Sequence, residues 1–289
     1  MRRQRLNISP ALPEGRQHVP AGFGLSIEFC QLTDVGRIRD HNEDALGTVI
    51  PQGSDSERRR GWLFVLADGV GGHERGEVAS QAAVDCLVQG FADCKETDVA
   101  SEILQRLIQK ANLQIYELGA SSGPGGKSMA TTIVACVLRY DRLTVAHVGD
   151  SRCYIVRDGR ARAITRDHTV SQEQLRMGLI TARDAASAEH TNVLSRSVGS
   201  DIFINVDVAE EQIFPDDVVV LCSDGLHNSV KDGDLERTLR KKPPLNEAAV
   251  SLVSLARERD GTDNISVQLI HVKGVERVGL YRGRHYRLR

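Results

Sequence analysis

The feature that most constrains the fold is a block of four strand-like runs in direct succession across 130–165: "ATTIVACVL", "RLTVAHVGD", "RCYIVRDG" and "RARAIT". The last two are joined by Asp158-Gly159, a dipeptide that suits the tight turn of a β-hairpin. Hairpin-linked strands are antiparallel, so this block cannot belong to a regular βαβα parallel sheet. Upstream, "LSIEFCQL" alternates with Leu25, Ile27 and Phe29 on one face, and "WLFVLAD" forms another strand. The polar stretch "PQGSDSERRRG" between them reads as a hairpin loop. Two helices follow. One carries Val78, Ala79, Ala82, Ala83, Cys86 and Leu87 as a stripe; the other carries Val99, Ile103, Leu107, Ala111 and Leu118 and ends at Gly119. Asp167 to Ser200 is polar and reads as helical or irregular. Strands return in "IFINVDVAE", "DDVVVLCSD" and "NISVQLIHV", with a helix "NEAAVSLVSLARERD" before the last. Strands in runs and helices in blocks predict an α+β fold, antiparallel sheets covered by helices.

The 289 residues are enough for one large domain with a sizeable core. The expected organisation is an extended leader over 1–22, a single domain over 23–272 and a basic tail over 273–289. Met1–Pro20 holds four Arg against one Glu, and Lys273–Arg289 one Lys and five Arg against one Glu, while the whole chain is at -2. The body between is therefore acidic, which excludes the basic face of a nucleic-acid binder. No apolar run reaches the ~20 residues that span a bilayer, and the N-terminus has no apolar segment of a secretory signal. Six cysteines include no CxxC pair, and Cys136 and Cys222 sit inside apolar runs, as buried reduced thiols do. A cytoplasmic protein with no membrane contact is expected.

Two glycine-rich stretches invite a nucleotide reading, and both fail it. In "GVGGHE", Gly69 and Gly71 fit a dinucleotide fingerprint, but its last glycine is replaced by Glu74. "GPGGKS" ends like a phosphate-binding loop but has Ser121 where the first glycine belongs, and a helix precedes it where a strand should. No Gly-x-Ser-x-Gly elbow is present, and Cys136 sits inside an apolar run, so covalent catalysis has no visible apparatus.

Acids recur instead where apolar runs stop. Asp68 ends "WLFVLA", Asp150 ends "LTVAHVG", Asp224 ends "VVVLCS", Asp263 precedes "NISVQLI", and Glu43-Asp44 precedes "ALGTVI". One acid at a strand end serves as a turn former or helix cap. Five such places suggest one rim where carboxylates converge, and converging anions need a cation. An all-oxygen set suits Mg²⁺ or Mn²⁺ rather than Zn²⁺.

In order along the chain, "TDVGRIRDHNEDA", "ADGVGGH", "ATTIV", "VGDSR", "TRDHT", "NVLSRSVG", "LCSDGL" and "GTDNISV" resemble the metal-dependent Ser/Thr protein phosphatases of type 2C, in their bacterial form. The likeness runs from about Ser26 to Val272. It implies two stacked antiparallel sheets flanked by helices, and hydrolysis of phosphoserine or phosphothreonine by a water or hydroxide bridging two metal ions. It also implies phosphorylated proteins as substrates, a bacterial Ser/Thr kinase as the opposing enzyme, and a monomer. By the same resemblance Asp68 is the bridging carboxylate, the Gly69 carbonyl a backbone ligand, and Asp44 a ligand with Glu43 beside it as an outer partner. Asp224 and Asp263 complete the core, and Asp150 shares a weaker third ion with Asp224. An acid usual four residues after the latter is here Asn228, so a third ion is loosely held. Arg39 corresponds to the phosphate-gripping arginine; read alone it would simply pair with Asp40 or Glu43. The animal enzymes' histidine two positions after the bridging Asp is here Val70, leaving a metal-bound water or His73 to supply the leaving-group proton. His168 and Arg152 support the fold, Thr131 and Thr132 pack a strand near the site, and 170–200 corresponds to a flap beside it. Two other readings remain open: a pseudophosphatase that only binds phosphoproteins, and a phosphatase dedicated to one anti-sigma-antagonist.

Overall fold

Alternation of side chains along the strands sorts this chain's apolar residues into three layers. The computed structural model describes residues 25–52, 55–70, 75–121, 129–181, 184, 193–281 and 284–287. The elements are β1 (Ser26–Asp34), β2 (Asp44–Val49), α1 (Asp55–Arg60), β3 (Trp62–Asp68), α2 (Gly76–Ala92), α3 (Ala100–Ala120), β4 (Ile133–Arg139), β5 (Arg142–Val148), β6 (Arg152–Arg157) and β7 (Arg160–Ala163). After them come α4 (Val170–Arg176), β8 (Asp207–Gln212), β9 (Val218–Cys222), α5 (Asp224–His227), α6 (Asp232–Leu239), α7 (Leu245–Arg259), β10 (Ile265–Gly274), β11 (Val278–Tyr281) and β12 (Arg284–Arg287).

One sheet runs β1-β10-β9-β6-β7 and the other β2-β3-β4-β5-β8, and every neighbouring pair is antiparallel. On β3, Leu63, Val65 and Ala67 face the helices α2 and α3, whereas Trp62, Phe64 and Leu66 face the other sheet. On β10, Ile265, Val267 and Leu269 join the layer under α7, and Ile270 and Val272 lie between the sheets. The result is helix, sheet, sheet, helix. This is the expected α+β sandwich of two stacked antiparallel sheets.

Several local expectations change. The polar stretch before β3 is not a plain loop but contains α1, whose last turn carries Arg58, Arg59 and Arg60, the charge that a helix C-terminus favours. "IFINVDVAE" becomes a strand only from Asp207. Before it, the backbone is held by a helix rather than by a strand: Asn112 Nδ2 donates to the carbonyls of Asp201 (2.8 Å) and Ile202 (3.0 Å). At the C-terminal end, β11 and β12 pair as a separate antiparallel hairpin. All six cysteines are free, and all but Cys30 are buried. No helix among the described residues is long and apolar enough to cross a membrane.

Candidate active site

The acids meet because strand register puts them at one end of the layer between the sheets. Asp44 and Asp68 are direct cross-strand partners on β2 and β3. Each is two positions from a residue that faces the other sheet, Leu46 and Leu66, so period-two alternation turns both carboxylates the same way. Asp224 follows β9 of the opposite sheet and opens α5, and Asp263 lies two residues before β10. Asp150 stands on the connection from β5 to β6, where the chain passes from one sheet to the other.

Close backbone approaches hold this rim. A side chain at Gly69 would lie 2.5 Å from the Gly76 carbonyl carbon and 2.9 Å from the Glu43 carbonyl oxygen. Gly69 N–H donates to that same Glu43 carbonyl at 3.1 Å, and Glu43 N–H donates to Asn264 Oδ1 at 2.7 Å. Asn264 also donates to the carbonyls of Val35 and His41, so one amide side chain laces the β1–β2 loop to the start of β10. Thr132 N–H donates to the Asp68 carbonyl at 2.8 Å, and Thr131 Oγ1 donates to that oxygen as well. The Asp150 carbonyl accepts from His227 Nε2 at 3.0 Å. The roles of Asn264 and His227 were not read from the sequence; the only signal was their place inside "DNISV" and beside "CSDGL".

The electrostatics are those of anions crowded out of water. Neither carboxylate oxygen of Asp44 has a well-formed hydrogen bond. Burial pushes its pKa up to about 7; the Ser266 and Ser223 hydroxyls nearby offset part of this, and the Asp224 and Asp263 charges add to it. Asp68 is held well above the usual carboxylate range by burial, then by Asp44, Asp224, Asp150 and Asp263. Burial and Asp224 raise Asp150 to about 8, and burial and Asp263 raise Asp224 to about 6. Asp263 stands at the mouth with Arg39, whose Nη2 donates to Asp263 Oδ2 at 2.8 Å; both side chains are a little over a third exposed. Arg39 therefore pairs with Asp263, not with Asp40 or Glu43. Asn228 Nδ2 donates to Asp224 Oδ2 at 3.3 Å, so the position that lacks an acid supplies a donor instead.

Five acids sit in this one rim, and the Asp44 oxygens are buried without partners. Such a donor set fits hard divalent cations. Among the described residues, the three-residue sets whose ligand atoms come within 4.8 Å of one another are different ones, His147 with His168 and Asp207, and His41 with Glu43 and Glu77. Of the sequence-derived candidates, Arg39, Glu43, Asp44, Asp68, Gly69, Asp150, Asp224 and Asp263 all gather at this rim. Gly71, Gly72, His73, Glu74 and 122–128 lie outside the described residues.

The family model for protein phosphatase 2C matches residues 39–260. The serine/threonine phosphatase stp of Listeria innocua serovar 6a is 36% identical over 241 residues, covering 82% of this chain and 93% of that protein. Among solved structures, the S. agalactiae serine/threonine phosphatase aligns with a TM-score of 0.78 at 32% identity, over 86% of this chain and all of that one. The catalytic domain of the serine threonine protein phosphatase PstP in complex with 2 manganese ions aligns with a TM-score of 0.71 at 29% identity, over 86% of this chain and 99% of that one. The two-sheet architecture, the carboxylate rim and these likenesses agree: the chain belongs to the protein phosphatase 2C family.

Proposed function

We propose that this chain is a metal-dependent protein phosphatase that hydrolyses phosphoserine and phosphothreonine in proteins. The observation that carries this reading is the carboxylate rim, in which burial and mutual repulsion raise Asp44, Asp68, Asp150 and Asp224 together. Mn²⁺ or Mg²⁺, as two core ions and a weaker third, would there lower the pKa of an attacking water and neutralise phosphate charge. Asp44, Asp68, Asp224, Asp263 and the Gly69 carbonyl are the groups to hold the core ions, with Glu43 behind Asp44. Asp150 and Asp224 are the groups for the third, where Asn228 withholds an anionic ligand. Arg39 takes the substrate phosphate. Its planar fork, already tethered at the mouth by Asp263, can offer two parallel N–H donors to phosphate oxygens.

A binding-only role has no observation in its favour, because a phosphoprotein-binding module has no use for four buried, mutually repelling acids. Dedication to one anti-sigma-antagonist would be a narrower form of the same activity. The reading makes a bacterial Ser/Thr kinase the opposing enzyme. It also places the protein in the cytoplasm as a monomer, consistent with free, mostly buried cysteines.

The test is hydrolysis of a phosphothreonine peptide with Mn²⁺, with EDTA, and by Asp68→Asn. Turnover only with metal and only with Asp68 intact is expected. Metal-independent turnover, or full activity in the variant, would overturn the reading.

A further inference from the structure

The β7–α4 connection and the carboxylate rim meet at one buried side chain, His168. It lies between β7 and α4 and is 2% exposed. Backbone and ring both grip Gly149: His168 N–H donates to the Gly149 carbonyl at 2.9 Å, and Gly149 N–H donates to His168 Nδ1 at 3.1 Å. The His168 carbonyl accepts Ser195 N–H at 2.9 Å, and Thr169 bridges Leu194, so the chain entering α4 is tied to residues 194–195 at the same place. Gly149 has little freedom to move. Its φ is +105°, and a Cβ there would sit 2.6 Å from Thr132 Cβ. Thr132 is bonded through its N–H to Asp68, and the residue after Gly149 is Asp150.

The bonding fixes the tautomer of His168. Because Nδ1 accepts, its lone pair is spent and the ring hydrogen is on Nε2. That N–H faces Asp207 Oδ2 at 3.3 Å without the alignment of a well-formed hydrogen bond. The ring stacks on His147 with centroids 4.5 Å apart, and His147 Nε2 donates to the Arg166 carbonyl at 2.8 Å. His147, His168 and Asp207 are close enough to resemble a cation site, but in this tautomer His168 offers a cation no free lone pair. Burial, then His147 and Arg196, push the His168 pKa down to about 4 against the pull of Asp207, so the ring is neutral at physiological pH.

We propose that His168 is a positioning residue which couples the β7–α4 connection to the active site. By holding Gly149 N–H on Nδ1, it sets where the Asp150 carboxylate stands relative to Asp68 and Asp224. Only the use made of Asp150 rests on the phosphatase reading; the coupling itself rests on geometry.

Long-range ¹⁵N–¹H NMR of the wild-type protein tests the coupling without reference to activity. It should find His168 as the Nε2–H tautomer and the Gly149 amide slow to exchange; an Nδ1–H tautomer or a rapidly exchanging Gly149 amide would overturn the proposal. Two variants test its consequence. His168→Asn puts Oδ1 where Nδ1 stood and keeps the acceptor, whereas His168→Gln keeps only a distant donor. His168→Asn should stay within about 3-fold of wild type in kcat, and His168→Gln should lose about 10–100-fold in kcat or in the weakest Mn²⁺ affinity read by calorimetry. KM for a small aryl phosphate should not change. Equal losses in both variants, or losses that only follow melting temperature, would make His168 merely structural and sink the proposal. If neither variant folds, the NMR measurement decides. Wild-type protein inert toward phosphopeptide would count against the phosphatase reading, and the NMR and Mn²⁺-binding results would still judge the coupling.

Discussion

A carboxylate buried with neither oxygen hydrogen-bonded is tolerated only when a proton or a cation neutralises it, and Asp44 is such a group. The sign of the resulting pH dependence follows from linkage. Asp44 at about 7 and Asp150 at about 8 are raised above the ~3.9 of an unfolded Asp, so the folded state holds protons that the unfolded state has released. Their stabilisation is complete at low pH and is lost as pH rises through the folded values. Buried neutral histidines act the other way at lower pH: His227, lowered to about 3, and His168, to about 4, cost stability as pH falls below about 6.5. The window that isolates the acids is therefore about pH 6.5 to 8.5. With EDTA, melting temperature should fall across it; with Mn²⁺ the fall should vanish, and Asp44→Asn should lessen it without metal, leaving the part due to Asp150. A metal-free melting temperature that rises over that window would contradict the assignment. At the mouth, Arg39→Lys keeps the charge but loses the fork. The expected result is a kcat/KM about 10–100-fold lower on phosphopeptide, with Mn²⁺ binding by calorimetry unchanged.

At the scale of elements, the site depends on how closely the turn after β9 can approach the turn before β10. A Cβ on Gly225 would lie 2.1 Å from the Asn264 carbonyl oxygen and 3.5 Å from Asp263 Cβ. Backbone, not a flexible side chain, blocks the space. Gly225→Ala should lower stability by about 2 kcal/mol or more in urea unfolding and separate Asp224 from Asp263, which weaker Mn²⁺ binding would report. Unchanged binding would mean that the two turns move independently. This turn also marks what the sequence could tell. The alternation in "WLFVLAD" and the acid at its end were legible, because strand period and a terminal carboxylate are local properties. So were α2, α3 and α7, whose stripes are long. The helix in "DSERRR" was not, because six residues, five of them charged, carry no apolar period. The segment before β8 was misread as strand because Ile202 and Ile204 look like alternation, while the Ile202 carbonyl is claimed by Asn112 and the Ile204 carbonyl by Gln109, both some ninety residues away in sequence. Likewise the grip of His168 on Gly149 and of Asn264 on Glu43 joins residues that no local pattern connects.

At the scale of the whole molecule, the carboxylates belong to two different sheets. Asp44 and Asp68 come from one, Asp224 and Asp263 from the other, and Asp150 from the passage between them. Cations in this rim would tie the sheets together, so the layer that sets their spacing should matter more to metal binding than the layers under the helices. Ile270 lies between the sheets, and Leu87, on α2, packs in the layer between the helices and the other sheet; both are fully buried. Either residue changed to Ala should cost about 2–5 kcal/mol, since each leaves a cavity in a packed core. The two should differ in how far Mn²⁺ raises the melting temperature, because ligand stabilisation follows affinity for the folded state. Leu87→Ala should melt lower with and without Mn²⁺ and keep the wild-type increment. Ile270→Ala should melt lower and lose part of the increment, as the sheets settle into the cavity and the two halves of the rim shift apart. The same increment in both variants would mean that the turns alone, and not the packing between the sheets, hold the rim in place.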